Sequence, residues 1–393
     1  MDFKNLCCEL NSLSVFRNIL SDVVINKFYI FISDKNSDTE IKVRKYSDFI
    51  SELYKGTDNF SKYILNLVLY DENIYIVEKS RKQNMGLEME HALKNDLKVL
   101  QKISRITSLN LKETIDFKGF LPDYFTEEID FQKIYFERLS NLKKYGYGIF
   151  AKYHAFSIDD GNLIPVKNPD PTKLEDLKGY EKERNKVISN TKALLEGKPC
   201  SNVLLYGDSG TGKSSTVKGI INEFKDKGLR LVEVKKRQLH QLPKILEKLN
   251  DNPLKFIIFL DDLSFTKNDD DFAALKAILE GSVSSSSNVA VYVTSNRRHL
   301  IKESFSDRSG DDIHLSDTME ELTSLSERFG LRLTFYKPDK DTYIKILKNL
   351  AKKYEIKTPI DEVISQGEIY AINRSGRTPR VARQFIELLK ASE

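Results

Sequence analysis

A glycine-rich segment between an apolar run and a helix-like stretch constrains the fold of this chain more than any other feature. Residues 207–214 read GDSGTGKS, directly after the apolar run Val203–Tyr206 and at the start of a helical pattern that extends to Lys225. Glycines let such a loop turn back so that successive backbone N–H groups point inward, and the following helix adds the positive end of its dipole. The pattern predicts a strand, an anion-binding loop and a helix in succession.

The side chains of this loop suit a nucleoside triphosphate with a divalent cation. Lys213 is expected to reach the β- and γ-phosphates, and the hydroxyl of Ser214 is expected to ligate Mg²⁺. We predict ATP as the nucleotide, and a glycine-rich turn that binds no ligand is the alternative. The other predicted contacts come from the neighbouring residues Gly207, Asp208, Ser209, Gly210, Thr211, Gly212 and Ser215.

Two carboxylates and an amide follow later apolar runs. Asp261 and Asp262 come directly after Phe256–Leu260, and Asn296 follows Val289–Thr294. Open α/β sheets bind their ligands at the carboxyl ends of the strands, where these side chains would lie. We expect Asp261 to hold Mg²⁺, Asp262 to activate a water molecule and Asn296 to orient that water. Because Asp262 is shorter than a glutamate, hydrolysis is expected to be slow or to use another base; capping and turn roles are the alternatives for Asp262 and Asn296.

The order of apolar runs and helical patterns predicts the fold class. Beyond residue 173, strand-like runs alternate with helix-like segments, which is typical of a parallel sheet with crossover helices. After Pro338, the amphipathic patterns Lys340–Tyr354 and Arg380–Leu389 predict a C-terminal helical lid. The polar stretch Ser282–Asn288 is predicted to be a surface loop. The five predicted strands are Val203–Tyr206, Leu229–Val234, Phe256–Leu260, Val289–Thr294 and Leu331–Phe335.

A separate domain is predicted at the N-terminus. Short apolar alternations, such as Tyr63–Val77, occur beside helical periodicity over Glu88–Ile103, so this part is predicted to be α+β or mostly helical. The proline-containing stretch Asn162–Thr172 predicts a linker. The predicted domains are an N-terminal domain of unknown role over residues 1–165, a nucleotide-binding α/β domain over 173–337 and the lid over 338–393.

The composition indicates neither nucleic-acid nor membrane binding. The 62 basic residues nearly balance the 58 acidic ones, for a net charge of +4, and a strong electrostatic attraction to phosphate is not expected from such a balance. Cys7, Cys8 and Cys200 form no disulfide or zinc-ligand pattern and are compatible with a reducing cytosol. Charged residues interrupt every apolar run before about 18 positions, so we expect a cytoplasmic protein without a signal peptide or membrane span.

Five segments in a fixed order resemble an AAA+ ATPase module. They are GDSGTGKS, FIIFLDD, VTSN, SERFG and GRTPRVARQF. Over approximately Leu174–Leu389 the chain is similar to an uncharacterised bacterial family of ATP-binding proteins described as domain of unknown function 815. This resemblance implies a P-loop fold with a five-stranded parallel sheet and a helical lid, ATP and Mg²⁺ as ligands, and assembly into a homo-oligomer.

The resemblance implies further residue roles. Arg328, in SERFG, corresponds to the arginine finger that AAA+ assemblies insert into a neighbouring subunit's site. Arg380 corresponds to the sensor-2 arginine of the lid, and Arg377 is the alternative. Gly179 and Tyr180 would lie near the adenine. A surface salt bridge is the alternative role for Arg328, and ordinary packing is the alternative for Gly179 and Tyr180.

Three functional hypotheses follow. The favoured one is an ATP-hydrolysing conformational switch that acts on a protein client, which the sequence does not identify. The second is a nucleic-acid transaction factor, loader or initiator-like, for which the basic stretch Lys235–Arg237 is the only sequence support. The third is an ATP-binding sensor with little turnover, which Asp262 in place of a glutamate favours. A substrate-threading unfoldase is disfavoured, since KKRQLHQLP contains neither an aromatic residue nor a glycine.

Overall fold

The computed structural model describes residues 2–34, 36–81, 83–265, 270–279, 288–296, 325–374 and 376–393. The chain divides into two compact units, Met1–Lys152 and Tyr153–Glu393. Each unit has its own buried apolar core. Among the helices in these residues, none combines the length and the apolar character needed to cross a lipid bilayer.

The described part of the first unit consists of helices and loops. Short polar side chains such as Asp22 and Asn59 begin several helices by accepting hydrogen bonds from first-turn N–H groups. Its core contains the rings of Phe28, Phe49 and Phe60, whose centroids lie 5.2 to 5.4 Å apart. The helices are α1 (Phe3–Asn11), α2 (Val23–Ile32), α3 (Thr39–Tyr54), α4 (Phe60–Tyr70), α5 (Ile74–Ser80), α6 (Leu87–Ser104), α7 (Ser108–Lys112), α8 (Phe131–Ser140), α9 (Leu142–Tyr145) and α10 (Ile149–Lys152).

The helices of this unit agree with the mostly helical alternative, and the apolar alternation over Tyr63–Val77 does not form a strand. That stretch lies in α4 and α5. The buried apolar positions of α4 are Phe60, Ile64 and Val68, spaced four residues apart as on one face of a helix. Because every residue of Tyr63–Tyr70 except Asn66 is apolar, alternation does not separate a strand from a helix there. Helix α6, in contrast, confirms the helix predicted over Glu88–Ile103.

The second unit is an α/β structure around one mixed sheet. The strands are β1 (Ala155–Asp159), β2 (Asn162–Pro165), β3 (Val203–Gly207), β4 (Leu229–Glu233), β5 (Lys255–Leu260), β6 (Val289–Ser295) and β7 (Leu331–Phe335). Their order in the sheet is β2-β1-β4-β5-β6-β3-β7. All neighbouring pairs are parallel except β1 and β2. The accompanying helices are α11 (Glu181–Leu195), α12 (Lys213–Phe224), α13 (Leu242–Asn250) and α14 (Asp270–Leu279).

The five predicted parallel strands are confirmed as β3 to β7, but two further strands extend the sheet. β1 and β2 form an antiparallel hairpin, and β1 pairs in parallel with β4. The predicted linker therefore begins as a strand, in which Pro165 is tolerated because it ends an edge strand. Since the hairpin belongs to the sheet, the two units divide between Lys152 and Tyr153, earlier than the predicted boundary near residue 165.

Three helices follow the sheet and form the lid around a small core of their own. They are α15 (Lys340–Lys353), α16 (Ile360–Ile372) and α17 (Pro379–Ser392). The sequence predicted the first and third but not α16. This helix contains Gly367, where an added Cβ would lie 2.8 Å from Cδ1 of Leu347, so the glycine permits close packing against α15. Residues 282–287 of the predicted surface loop lie outside the described residues.

Candidate functional site

The glycine loop, residues 207–212, connects β3 to α12. Gly207 has a φ of 130°, and an added Cβ would lie 2.3 Å from the carbonyl oxygen of Phe335. Gly212 has a φ of 93° in open space, so its left-handed backbone alone favours glycine. Thr211 Oγ1 closes the loop by donating to the carbonyl of Asp208 at 2.8 Å. The loop thereby brings the start of α12, whose first N–H groups have no intrahelical partner, to the carboxyl edge of the sheet.

Lys213, the first residue of α12, is a buried cation with neutral partners. It is 7% exposed. Its ammonium donates to two carbonyls of the glycine loop at 2.9 and 2.7 Å and to Asn296 Oδ1 at 2.9 Å. Burial lowers the pKa of Lys213, although the nearby carboxylates of Asp262, Asp208 and Asp261 act in the opposite direction. None of the described carboxylates forms an ion pair with it, and a desolvated ammonium of this kind fits an anionic ligand.

Asp261 connects the end of β5 to α12 and to the neighbouring strand β6. Its Oδ1 accepts hydrogen bonds from Ser214 Oγ at 2.5 Å and from Thr294 Oγ1 at 2.6 Å. Carboxylate and hydroxyl oxygens are ligands that suit Mg²⁺. The structure therefore brings together the two residues predicted to hold the metal. Thr294 is a third member of this cluster that the sequence did not single out.

Asp262 and Asn296 form the next part of the site. Asn296 Nδ2 donates to Asp262 Oδ1 at 2.6 Å, while the Oδ1 of the same amide accepts from Lys213. Asp262 has a φ of 50°, in the left-handed region that Asp and Asn adopt more readily than other non-glycine residues. This backbone conformation favours a short side chain at the position where a glutamate was expected. The amide of Asn296 joins the ammonium and the carboxylate in one network.

A cavity of about 420 Å³ lies between this edge of the sheet and the lid. The glycine loop, Asp261, Asp262 and Asn296 line one side, together with Lys213, Ser214 and Ser215 of α12. Every residue predicted to be catalytic or to bind the metal, except Arg328, therefore lines this one cavity. Such a concave site with convergent polar groups is the usual setting for ligand binding.

The lid contributes arginines to this cavity. Arg380 lines it, and its backbone N–H donates to the Gly210 carbonyl at 3.2 Å while its Nη1 lies 3.4 Å from Ser209 Oγ. Arg377, the alternative, instead forms a bidentate pair with Glu368 at 2.9 and 2.6 Å. The geometry thus favours Arg380 over Arg377 for the role predicted in the lid.

Arg383 also lines the cavity and was not predicted. It follows Arg380 by three residues in α17, and side chains at this spacing share one face of a helix. The sequence GRTPRVAR could have indicated Arg383, because residues three apart in a helix lie on the same face, as Arg380 and Arg383 do.

Three apolar side chains also belong to the lining of the cavity. Leu177, Ile346 and Leu350 line it. Arg184, which is 7% exposed, donates to the carbonyl of Leu177 at 2.5 Å and to that of Gly179, so it holds this chain segment against α11. An apolar wall of this kind suits a flat ring such as a nucleotide base.

Gly179 and Tyr180 lie just beyond that wall and are not among the residues that line the cavity. Tyr180 has a left-handed backbone with a φ of 61°. Its ring stacks on Phe335 at 5.0 Å, and its hydroxyl donates to the carbonyl of Tyr336. The Tyr180 side chain therefore packs on β7, whereas Leu177 lines the cavity.

Arg328 lies apart from the cavity, in the short segment before β7. It is half-buried, and its backbone N–H donates to the Leu325 carbonyl at 3.2 Å. It does not line the cavity of its own chain. A role toward a neighbouring subunit stays a prediction.

A family model and several solved structures match this chain. The family model described as Protein of unknown function (DUF815) matches residues 151–393. Among solved structures, the RuvB Holliday junction branch migration motor of Thermotoga maritima is 19% identical, with a TM-score of 0.39, over 55% of this chain and 63% of that chain. A point variant of Thermotoga maritima RuvB is 18% identical, with a TM-score of 0.38 and the same coverage. The chain thus spans less than two thirds of those proteins.

No curated protein matches the sequence. The family match covers more than half of the chain, and it includes the glycine loop, both aspartates and the lid arginines. The protein therefore belongs to the family described as Protein of unknown function (DUF815), and its second unit has an α/β fold with a mostly parallel sheet.

Proposed function

We propose that this protein binds ATP with Mg²⁺ in the cavity between the sheet and the lid, and that it hydrolyses ATP to drive a conformational switch acting on a protein client. The observation that carries the proposal is the convergence on one cavity of Lys213, the Ser214–Asp261 pair, the Asn296–Asp262 pair and Arg380. Any one of these motifs could by itself serve only the fold. Together they supply a cation, two metal ligands, a base and a lid residue around one space.

Each residue has a role that its contacts support. The Lys213 ammonium and the start of α12 would face the phosphates, since both present N–H donors and positive charge. Ser214 and Asp261 would hold Mg²⁺, which when bound offsets phosphate charge. Asp262 would take the proton of the attacking water, with Asn296 orienting that water.

Direct contacts between the glycine loop and the lid support a switch. The backbone N–H of Lys337, just before the lid, donates to Asp208 Oδ2 at 2.8 Å. Arg380 contacts Ser209 and Gly210 of the same loop. Phosphates that displace the loop would therefore change the contacts of the lid, which is how a ligand shifts a two-state equilibrium.

Phosphate release from ATP, measured with and without DNA, tests the proposal. Mg²⁺-dependent release that DNA leaves unchanged is the expected result. Stimulation by DNA would instead favour a nucleic-acid transaction factor, for which the basic stretch Lys235–Arg237 is the motivation. ATP binding without release would favour the sensor, which Asp262 motivates. Absence of ATP binding in calorimetry with Mg²⁺ would reject all three hypotheses.

Replacing Asp262 by asparagine should separate binding from turnover. Asn tolerates the left-handed backbone, so the fold is expected to persist. The amide cannot take up a proton from water, and a positioned general base contributes about 10²- to 10⁴-fold to the rate. We expect phosphate release to fall by that factor while ATP affinity is retained. Asp226→Asn, at an exposed position outside the cavity, is the control. Turnover near the native rate in Asp262→Asn would assign the base role elsewhere.

The lowered pKa of Lys213 predicts proton uptake on ATP binding. In the free protein this pKa lies below the ordinary 10.5, and a bound triphosphate would raise it. At a pH between the two values, the free protein has lost a proton that the complex keeps. ATP affinity is therefore expected to fall as the pH rises from the free protein's value toward that of the complex.

Calorimetry in two buffers with different ionisation enthalpies measures this uptake directly. Lys213→Arg is the matched control, since a guanidinium does not titrate in this range. If Lys213→Arg takes up as many protons on ATP binding as the native protein does, the proton binds to a group other than Lys213.

A further inference from the structure

Thr294 is a buried threonine that makes two side-chain hydrogen bonds at the edge of the cavity. It is the sixth residue of β6 and is 1% exposed. Its Oγ1 donates to Asp261 Oδ1 at 2.6 Å and accepts the backbone N–H of Asp262 at 2.8 Å. A hydroxyl has one donor and two acceptor positions. This one therefore uses its only donor on the carboxylate predicted to hold the metal.

The two contacts constrain both aspartates. Asp261 Oδ1 already accepts from Ser214, so the bond from Thr294 fixes the rotation of the carboxylate and leaves Oδ2 outside this pair of bonds. The bond from the Asp262 N–H holds the peptide between the two aspartates, next to the left-handed φ of 50°. A threonine side chain is stiff at χ1, so it provides a rigid anchor for both.

The chain beyond Asp262 is held by the same strand. The Leu263 N–H donates to the Thr294 carbonyl at 2.8 Å, and Ser295 Oγ donates to the Leu263 carbonyl at 2.8 Å. Hydrogen bonds to Thr294 and Ser295 of β6 therefore hold the backbone at Asp262 and at Leu263. The hydroxyls of Thr294 and Ser214 bond the same oxygen of Asp261, and of these two only Thr294 also holds the backbone of Asp262.

From these contacts we infer that Thr294 is a positioning residue for ATP hydrolysis, which orients the Asp261 carboxylate for Mg²⁺ and holds Asp262 in its left-handed conformation. The inference rests on the proposed ATPase function and adds a residue to it. Groups that hydrogen-bond a metal ligand without touching the metal commonly control its affinity and the rate. The sequence alone does not indicate this role for Thr294, because the residue belongs to the apolar run of β6 and only the following Asn296 stands out as polar.

The test compares Thr294→Val, which removes the hydroxyl at nearly constant volume, with Thr294→Ser, which keeps it. For Thr294→Val we expect turnover to fall about 10- to 100-fold and the Mg²⁺ concentration for half-maximal activity to rise about tenfold. ATP affinity measured without Mg²⁺ should stay within about threefold of native, since the Thr294 hydroxyl is already engaged by Asp261 and by the Asp262 N–H. Thr294→Ser should restore both quantities to within about threefold.

Thr191→Val is the matched control for the loss of a buried hydroxyl. Thr191 is 0% exposed and bonds Tyr292 of the same strand at 2.7 Å, outside the cavity. We expect its Mg²⁺ dependence and turnover to match the native protein. Equal losses in Thr191→Val and Thr294→Val, or native behaviour of Thr294→Val, would overturn the inference.

The outcome for the native protein separates this inference from the proposed function. Absence of native phosphate release would reject hydrolysis. In that case the increase in ATP affinity on adding Mg²⁺ still decides the inference, because Thr294→Val should lower that increase about tenfold while Thr191→Val should not.

Discussion

Lys213→Ala is expected to remove measurable ATP binding. The ammonium is 7% exposed, and its three hydrogen bonds hold it beneath the glycine loop, where the phosphates would lie. Removing one partner of a buried charge pair costs about 3–5 kcal/mol. Since each 1.4 kcal/mol is about a factor of ten in affinity, the dissociation constant should rise by roughly two to three and a half orders of magnitude. Isothermal titration calorimetry with Mg²⁺ measures this change.

The substitution should not unfold the protein. Burial lowers the pKa of Lys213, so the charged form is disfavoured in the nucleotide-free fold, and losing it removes an unfavourable term. Lys218→Ala is the matched control on the same helix. Its side chain is 28% exposed, and its Nζ lies 3.7 Å from Asp170 Oδ2, a pair worth about 0–1 kcal/mol. An affinity of Lys213→Ala within about threefold of the control would contradict the predicted phosphate site.

Arg328→Ala is expected to leave ATP affinity unchanged and to lower turnover about 10³-fold or more, the range attributed to arginine fingers. The structure supports the first half of this expectation, because Arg328 does not line the cavity of its own chain. If a neighbouring subunit supplies the guanidinium, native turnover should also rise with protein concentration. Affinity by calorimetry and phosphate release over a concentration series measure both effects.

A mixing experiment distinguishes a finger acting between subunits from a local effect. Lys213→Ala keeps Arg328 but loses ATP, whereas Arg328→Ala keeps ATP but loses the finger. Mixed assemblies should therefore recover activity that neither variant shows alone. Arg332→Ala, at an exposed position in β7, controls for the loss of a nearby charge. If Arg328→Ala hydrolyses ATP at the native rate at every protein concentration, Arg328 has no intersubunit role. The same conclusion follows if mixing the two variants recovers no activity.

The parts of the site that lie close together in sequence were predictable. The glycine loop, the five parallel strands and the two long amphipathic lid helices each follow from a local pattern of residues. Asp261 and Asp262 were found because a fully apolar strand ends in two carboxylates. The alternation over Tyr63–Val77 did not separate an α+β domain from a mostly helical one, since a run as apolar as Tyr63–Tyr70 shows no clear period.

Contacts between distant residues decided the rest. Thr294 bonds Asp261 across 33 residues, and Asn296 bonds Asp262 across 34. A local pattern of residues cannot predict a hydrogen bond between positions so far apart in the chain. The choice of Arg380 over Arg377 likewise depends on a contact within the lid, because Glu368 forms an ion pair with the guanidinium of Arg377.

The sequence by itself determined the glycine loop after β3, the parallel strands and the two carboxylates that follow β5, because these depend on residue types at short spacing. Only the tertiary structure decided how the sheet was completed by the hairpin of β1 and β2, which arginines reach the cavity and which hydroxyl orients the carboxylate. These depend on the packing of elements far apart in the chain, where the direction of a side chain is set by its neighbours in space.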